Sequence, residues 1–185
     1  MLAIVAGVVK TNNTVYPEPR DSGYCARIET HIEEVKAIGM INMDVVCQGA
    51  MMIGALPEPI KDTKSPMAKV LYGIPFEGKP KAVKFDYKAE VGHNAVRGTG
   101  FSKLKHLEYP DSAEVTFVLQ KRWEDEKGRV HALRVATGIE RFAESVPEWV
   151  NGHEVPLHYG DITGEPFYEY YMGLKTDPET AYHTL

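Results

Sequence analysis

Two histidines, in His153-Glu-Val-Pro-Leu-His158, are the first residues whose types suggest chemistry. A zinc-binding helix sets two histidines four apart on one face, with a glutamate between them. Here the spacing is five, and Pro156 would break a helix. Residues five apart on a strand face opposite sides, so the segment reads as loop and strand rather than as a metal centre. Arg97-Gly-Thr-Gly-Phe-Ser102 has two close glycines but no third and no Gly-Lys-Ser/Thr, which makes it a turn rather than a phosphate cradle. No Gly-x-Ser-x-Gly elbow occurs. Cys25 and Cys47 are too few for a four-thiolate zinc site or a disulfide framework. They read as buried thiols, with a single pairing in an oxidising compartment as the alternative. Asn12-Asn-Thr14 fits the glycosylation sequon, a pattern too short to carry weight.

Carboxylates are the next candidates. Glycoside hydrolysis needs two of them, about 5 to 9.5 Å apart across one cleft. A jelly-roll enzyme would carry acids at i, i+2 and i+4 of one strand, and no strand here does. Glu29, Asp86 and Glu114 are the acids to test first for catalysis. The ordinary reading of each is a solvated or ion-paired strand face. Calcium often sits between strands of β-sandwich modules. Glu18, Asp21 and Asp161 are loop acids that could serve it, but their spacing supports no ligand set, so no cofactor or metal is expected.

The residues favoured for ligand binding are polar groups inside otherwise apolar strands. They are Arg27 and Glu29 on one strand, Lys84 and Asp86 on another, and Arg122 on a third, with Tyr87, Trp123 and Trp149 as aromatic partners. Sugar recognition combines planar polar groups for hydroxyls with aromatic faces for C–H stacking. The bland alternative is a sheet with one face on a core and the other in water.

The elements that must position these groups are strands. Tyr24, Ala26 and Ile28 alternate with Cys25, Arg27 and Glu29, and Val83, Phe85 and Tyr87 alternate with Lys84, Asp86 and Lys88. Residues 114–123 form the longest clear strand, with Val115, Phe117 and Leu119 on its apolar face. Residues 129–137 are its hairpin partner across the charged turn Glu124-Asp-Glu-Lys-Gly128. The prolines of Pro57-Glu-Pro-Ile-Lys-Asp-Thr-Lys-Ser-Pro66 exclude both helix and central strand. Residues 33–52 fit either a strand pair or a helix followed by a strand. Residues 138–145, ended by Pro147, are the best helix candidate. The polar tail 173–185 carries no stop signal for any element.

The chain has 185 residues, 43% hydrophobic and 25% charged, which suits one globular domain burying roughly 70% of its extended surface. The formal net charge of -5 argues against a general nucleic-acid binder. No stretch reaches the roughly 18 apolar residues of a membrane span. The apolar opening at residues 1–9 has no basic residue before it, so it reads as a first strand rather than a secretory signal. Irregularly spaced strands between long Pro/Gly loops predict an all-β sandwich, one domain over residues 1–185.

Three blocks carry a resemblance: Tyr24-Cys-Ala-Arg-Ile-Glu-Thr30, Gly49-Ala-Met-Met-Ile-Gly54 and Gly73-Ile-Pro-Phe-Glu-Gly-Lys-Pro-Lys-Ala-Val-Lys-Phe-Asp-Tyr-Lys88. Over residues 15–171 the chain resembles the carbohydrate metabolism domain (PCMD) family, known mostly from Bacteroidetes. The Gly-Ile-Pro-Phe block followed by Lys-Pro and a Tyr-Lys strand is its most specific piece. The resemblance implies a β-sandwich jelly roll similar to carbohydrate-binding modules and jelly-roll glycoside hydrolases. It also implies export to the periplasm or cell surface and a sugar-binding pocket. The family usually has a strand before the first block and a closing strand after the last. Neither is legible here, so the jelly roll is expected to be short at its ends, and unpaired edges favour association of copies. The expected function is binding of an oligo- or polysaccharide. The alternatives are a glycoside hydrolase-like enzyme of the same fold, or a structural or assembly subunit of a surface complex.

Overall fold

The computed structural model describes residues 13–37, 41–55, 70–98, 103–175 and 178–184. The apolar opening, the proline-rich segment 57–66 and all but Arg97 and Gly98 of the two-glycine segment lie outside them.

Among the described residues the regular elements are strands, apart from one 3-10 turn. In order they are β1 (Val15–Arg20), β2 (Gly23–Ile28), β3 (His31–Ala37), β4 (Ile41–Cys47), β5 (Gly54–Ala55), β6 (Leu71–Tyr72) and β7 (Ala82–Ala89). Then come β8 (Val96–Arg97), β9 (Lys105–His106), β10 (Ala113–Glu124), β11 (Val130–Phe142), β12 (Val146–Pro156), β13 (His158–Tyr159) and β14 (Glu179–Tyr182). The single helical turn described is a 3-10 turn at Tyr170–Met172. Among the described residues no helix is long and apolar enough to cross a membrane.

The strands fall into two compact units, residues 1–53 with 92–111 and residues 54–91 with 112–185. In the first unit, β1 and β2 form a tight antiparallel hairpin in register from Val15 opposite Ile28 to Arg20 opposite Gly23. Asp21 turns it with φ of 49°, a left-handed conformation that Asp tolerates because its short polar side chain can bond locally. β2 carries no packed apolar face: along it only Cys25 is half-buried, and Arg27 on the same side is exposed. Tyr24 is 77% exposed, and Ala26 and Ile28 are exposed too. The packed side is set by β1, whose half-buried Glu18 stands opposite Cys25. The ambiguous segment after residue 33 is a strand pair, β3 against β4 from His31–Cys47 to Ala37–Ile41.

The second unit holds the packed core. β10 and β11 pair antiparallel along their whole length, through a bulge at Leu119/Gln120, and extend the hairpin read in the sequence at its open end, to Ala113 opposite Phe142. Asp125 fixes its turn by accepting bonds from the amides of Lys127 and Arg129. β7 pairs antiparallel with β12. The two layers meet face to face: Phe85 lies 5.9 Å from Phe117, and Tyr87 lies 4.5 Å from Phe142, between ring centroids. This is the period-two apolar face of β7 seated on that of β10, as in a sandwich.

Two expectations change here. The helix expected over residues 138–145 is instead the end of β11 through Phe142, then a turn, then the start of β12. The ladder to β10 overrides local preference. Gly138 fits that role because a Cβ there would meet Leu157 Cδ2 at 2.8 Å and the Pro156 carbonyl at 2.9 Å. The polar tail is also part of the sheet: β14 runs parallel beside β11, with Ala132 opposite Glu179 and Arg134 opposite Tyr182.

Candidate functional site

The expected ligand residues divide between the units. Arg27 and Glu29 belong to the first, where Arg27 forms ion pairs with Glu29 and with Glu18 at 3.7 Å, and His31 lies 3.2 Å from Glu29. Lys84, Asp86, Tyr87, Arg122, Trp123 and Trp149 belong to the second.

On the solvent face of β7, Lys84 pairs with Glu154 at 3.0 Å, and Asp86 accepts a 2.6 Å bond from the Gly152 amide. Lys88 lies over the Trp149 ring at 5.6 Å. Lys84, Asp86 and Trp149 therefore belong to one polar, partly aromatic surface. Tyr87 points the other way, into the aromatic layer between the sheets. Arg122 donates to the Tyr72 carbonyl at 3.2 Å and to Gln120 at 3.4 Å. Trp123 faces the opposite side of the same strand, 44% exposed and stacked on His131 at 5.4 Å.

The two candidate catalytic acids of the second unit, Asp86 and Glu114, do not form a pair. Glu29 is in the other unit from Asp86 and Glu114. Phe85 and Phe117 meet between the layers. Asp86 is adjacent to Phe85 and Glu114 is three residues from Phe117, so alternation turns both carboxylates outward, away from each other. Sheets packed about 10 Å apart leave two such outer faces well beyond glycosidase separations. Glu114 is also engaged, at 2.8 Å by Arg141 and 2.9 Å by Thr116. Burial pushes its pKa up, but bonds from Arg141 and Thr116 and the charge of Lys175 outweigh it and hold the carboxyl below its ordinary value.

The acids weighed for calcium are also engaged, and Glu18 lies within β1 rather than in a loop. Asp21 lies 3.6 Å from Arg20, Glu18 pairs with Arg27, and Asp161 accepts from the amide and hydroxyl of Thr163. The two Thr163 bonds lower the Asp161 pKa. Among the described residues no three His, Cys, Asp or Glu side chains are placed to hold a metal ion. Cys25 and Cys47 are free, half-buried thiols.

The site that the sequence did not single out is a cleft of about 460 Å³ in the second unit. Glu140 from β11 and His153 from β12 meet on its wall, Oε2 to Nε2 at 2.8 Å. His158, on β13, stacks on Phe167 with ring centroids 4.0 Å apart. Ile139, Ile162 and Met172 supply apolar lining.

Local pairing explains the cleft. β12 pairs with β7 as far as Pro156, Leu157 donates to the Lys81 carbonyl at 2.8 Å, and His158 then pairs with Thr137 of β11. This change of partner cancels the alternation that would send His153 and His158 to opposite sides. The following loop folds back through a turn at Asp161–Thr163 and bonds from Glu165 to Ile162 and from Tyr168 to Glu165, which carries Phe167 over His158. The histidine pair is the one sequence signal at this site; its reading as loop and strand holds, but the spacing alone does not place both rings on one wall.

Chemically, the cleft offers two carboxylates, Glu140 and Glu154, and two imidazoles, able to accept and donate hydrogen bonds, beside an aromatic ring 39% exposed to solvent. Its lining includes no lysine or arginine. No protein-family profile, curated protein or solved structure matches this chain.

Proposed function

We propose that the second unit binds a saccharide in this cleft, and that the protein serves polysaccharide metabolism as a non-catalytic, extracytoplasmic glycan-binding jelly roll. The observation that carries the reading is the Glu140–His153 pair lining the same cleft as the exposed Phe167 ring. Small-ligand sites combine apolar walls with a few convergent polar groups. A pyranose presents hydroxyls at its rim and C–H groups on its face, which such a wall complements. The Lys84–Glu154 pair extends the polar rim, since Glu154 also lines the cleft. Asp86 and Trp149 lie farther along that surface. The reading agrees with the function that the PCMD resemblance implies. The experiment is a glycan array followed by calorimetric titration. It should find a saccharide whose affinity falls on Glu140→Gln and Phe167→Ala while the fold is kept.

A second reading, an assembly subunit of a surface complex, is favoured by one observation. Leu71, Tyr72, Ile74 and Phe76 are all exposed within six residues, and clustered exposed apolar groups mark interaction surfaces. Light scattering after size exclusion tests it: a strict monomer at all concentrations counts against assembly through copies of this chain.

A further inference from the structure

We infer that Arg134 and Glu179 are positioning residues for the cleft, so that the C-terminal strand β14 governs ligand binding without touching the ligand. This rests on the saccharide-binding reading. Arg134 is 0% exposed, and its guanidinium divides between two tasks. Nε donates to Glu179 Oε1 at 2.8 Å, and Nη2 donates to Glu179 Oε2. Nη1 donates to the Met172 carbonyl at 2.8 Å and to Thr137 Oγ1 at 3.4 Å. Met172 and Thr137 both line the cleft, whereas Arg134 and Glu179 do not. One buried cation therefore ties two parts of the cleft wall, on separate segments of chain, to a carboxylate on β14.

Glu179 is itself fixed. It accepts from Gln120 Nε2 at 2.6 Å and from the Lys175 amide at 2.7 Å. Its orientation sets the guanidinium plane, because a bidentate carboxylate leaves the fork little freedom. The 3-10 turn carrying Met172 is held besides by the Arg141 guanidinium over the Tyr171 ring at 4.1 Å and by Lys175 Nζ donating to the Tyr171 carbonyl at 3.1 Å, both exposed contacts, so the bond from Arg134 is its buried anchor. The turn spans three residues, none of them buried, and no side chain caps it. Loss of the pair would free the Met172 side of the wall while β10, β11 and β12 stay paired. A pair that merely fastened the tail would contribute stability and leave the ligand site unchanged.

The test uses the full chain with Glu179→Gln, which keeps side-chain shape but removes the charge. Asp125→Ala, at the β10–β11 turn and outside the cleft, is the control, since the partners of Asp125 are Lys127, Arg129 and His131 and none of them lines the cleft. The readouts are melting temperature, hydrogen exchange at the Met172 and Gly173 amides, and affinity for the tightest saccharide found on the array. Glu179→Gln is expected to speed exchange at both amides and to weaken binding about ten-fold, the cost of a site left loosely supported. Asp125→Ala should lower the melting temperature and leave affinity within about two-fold, as for a distant site that shares no partner with the cleft. If Glu179→Gln does not fold, Gln120→Leu removes one donor to the carboxylate and should show the same effects in smaller measure. Unchanged affinity and unchanged amide exchange in a folded Glu179 or Gln120 variant overturns the inference. If the wild-type chain binds no saccharide, the functional reading and the claim about binding both fail, while the exchange result still decides whether the pair positions the wall.

Discussion

Arg134 and Glu179 form an ion pair in which the side chains are 0% and 1% exposed, joining the centre of β11 to the start of β14. Removing one partner leaves an uncompensated buried charge. Glu179→Ala is therefore expected to destabilise the second unit by about 3–5 kcal/mol, far more than an exposed pair such as Lys84–Glu154, worth about 0–1 kcal/mol. Urea unfolding of the two single variants checks the contrast. Similar small losses in both would show that the buried pair is not fixed as described.

Acid should reach the same pair. Burial raises the Glu179 pKa, but bonds from Arg134, Gln120 and the Lys175 amide outweigh it and leave the carboxyl below its ordinary value. Glu114 is lowered on the same balance. A carboxylate with a lowered folded pKa adds stability above its unfolded value of about 4.3, because the unfolded chain takes up the proton first. Stability should be level from neutral pH down to that value and then fall as pH drops through the folded values. Urea midpoints between neutral pH and about pH 3 measure this, and Glu179→Gln should flatten the acid limb. An acid limb of undiminished steepness in that variant contradicts the assignment.

Gly138 should resist substitution. A methyl group there meets a backbone carbonyl and Leu157 inside van der Waals contact, in the middle of the β11 ladder. Gly138→Ala is expected to cost about 1–3 kcal/mol, the usual range for forced overpacking. Gly152, with φ of 68° and open space around its Cβ position, tests a different cause, backbone strain alone. Its alanine variant should cost about 1–2 kcal/mol, the penalty of the left-handed region for an L-residue. Thermal melts of both variants check the pair. A neutral Gly138→Ala would mean that the β12–β13 junction does not approach β11 as closely as described.

Trp123 and Tyr87 should separate by role. Trp123 stacks on His131 at an exposed hairpin end, so Trp123→Ala is expected to change stability by less than about 1 kcal/mol and leave saccharide affinity unaltered. Tyr87 packs among Phe85, Phe142 and His153, so Tyr87→Ala should cost about 3 kcal/mol. Calorimetric scans with and without ligand read both effects. Affinity lost on Trp123→Ala alone would move the binding surface to the hairpin end.

The strands that build the packed unit were legible because their alternation matches a burial that exists. Val83, Phe85 and Tyr87 turn inward on β7, and the hairpin of β10 and β11 follows its charged turn. Alternation in β2 is equally clear in the sequence, yet Tyr24, Ala26 and Ile28 are exposed, since a ribbon's packed side depends on its surroundings. The stretch after Gly138 looked helical because local preference cannot register a 13-residue strand paired along its length. The cleft escaped notice for a related reason. Its histidines share a wall through a change of pairing partner at Leu157, and Phe167 arrives by a loop. Glu179 gave no signal at all, because its partner lies 45 residues earlier and β14 is only four residues long.

The central claim is that the Glu140–His153 wall and the Phe167 ring together bind a saccharide, and calorimetric titration of one array-selected oligosaccharide into the wild-type, Glu140→Gln and Phe167→Ala chains tests it most directly. The account predicts measurable wild-type binding, a loss of about 1.5–3 kcal/mol for Glu140→Gln as a charge-assisted bond is removed, and a loss of about 1 kcal/mol or more for Phe167→Ala. Wild-type affinity in both folded variants, or no saccharide bound by the wild-type chain, contradicts it.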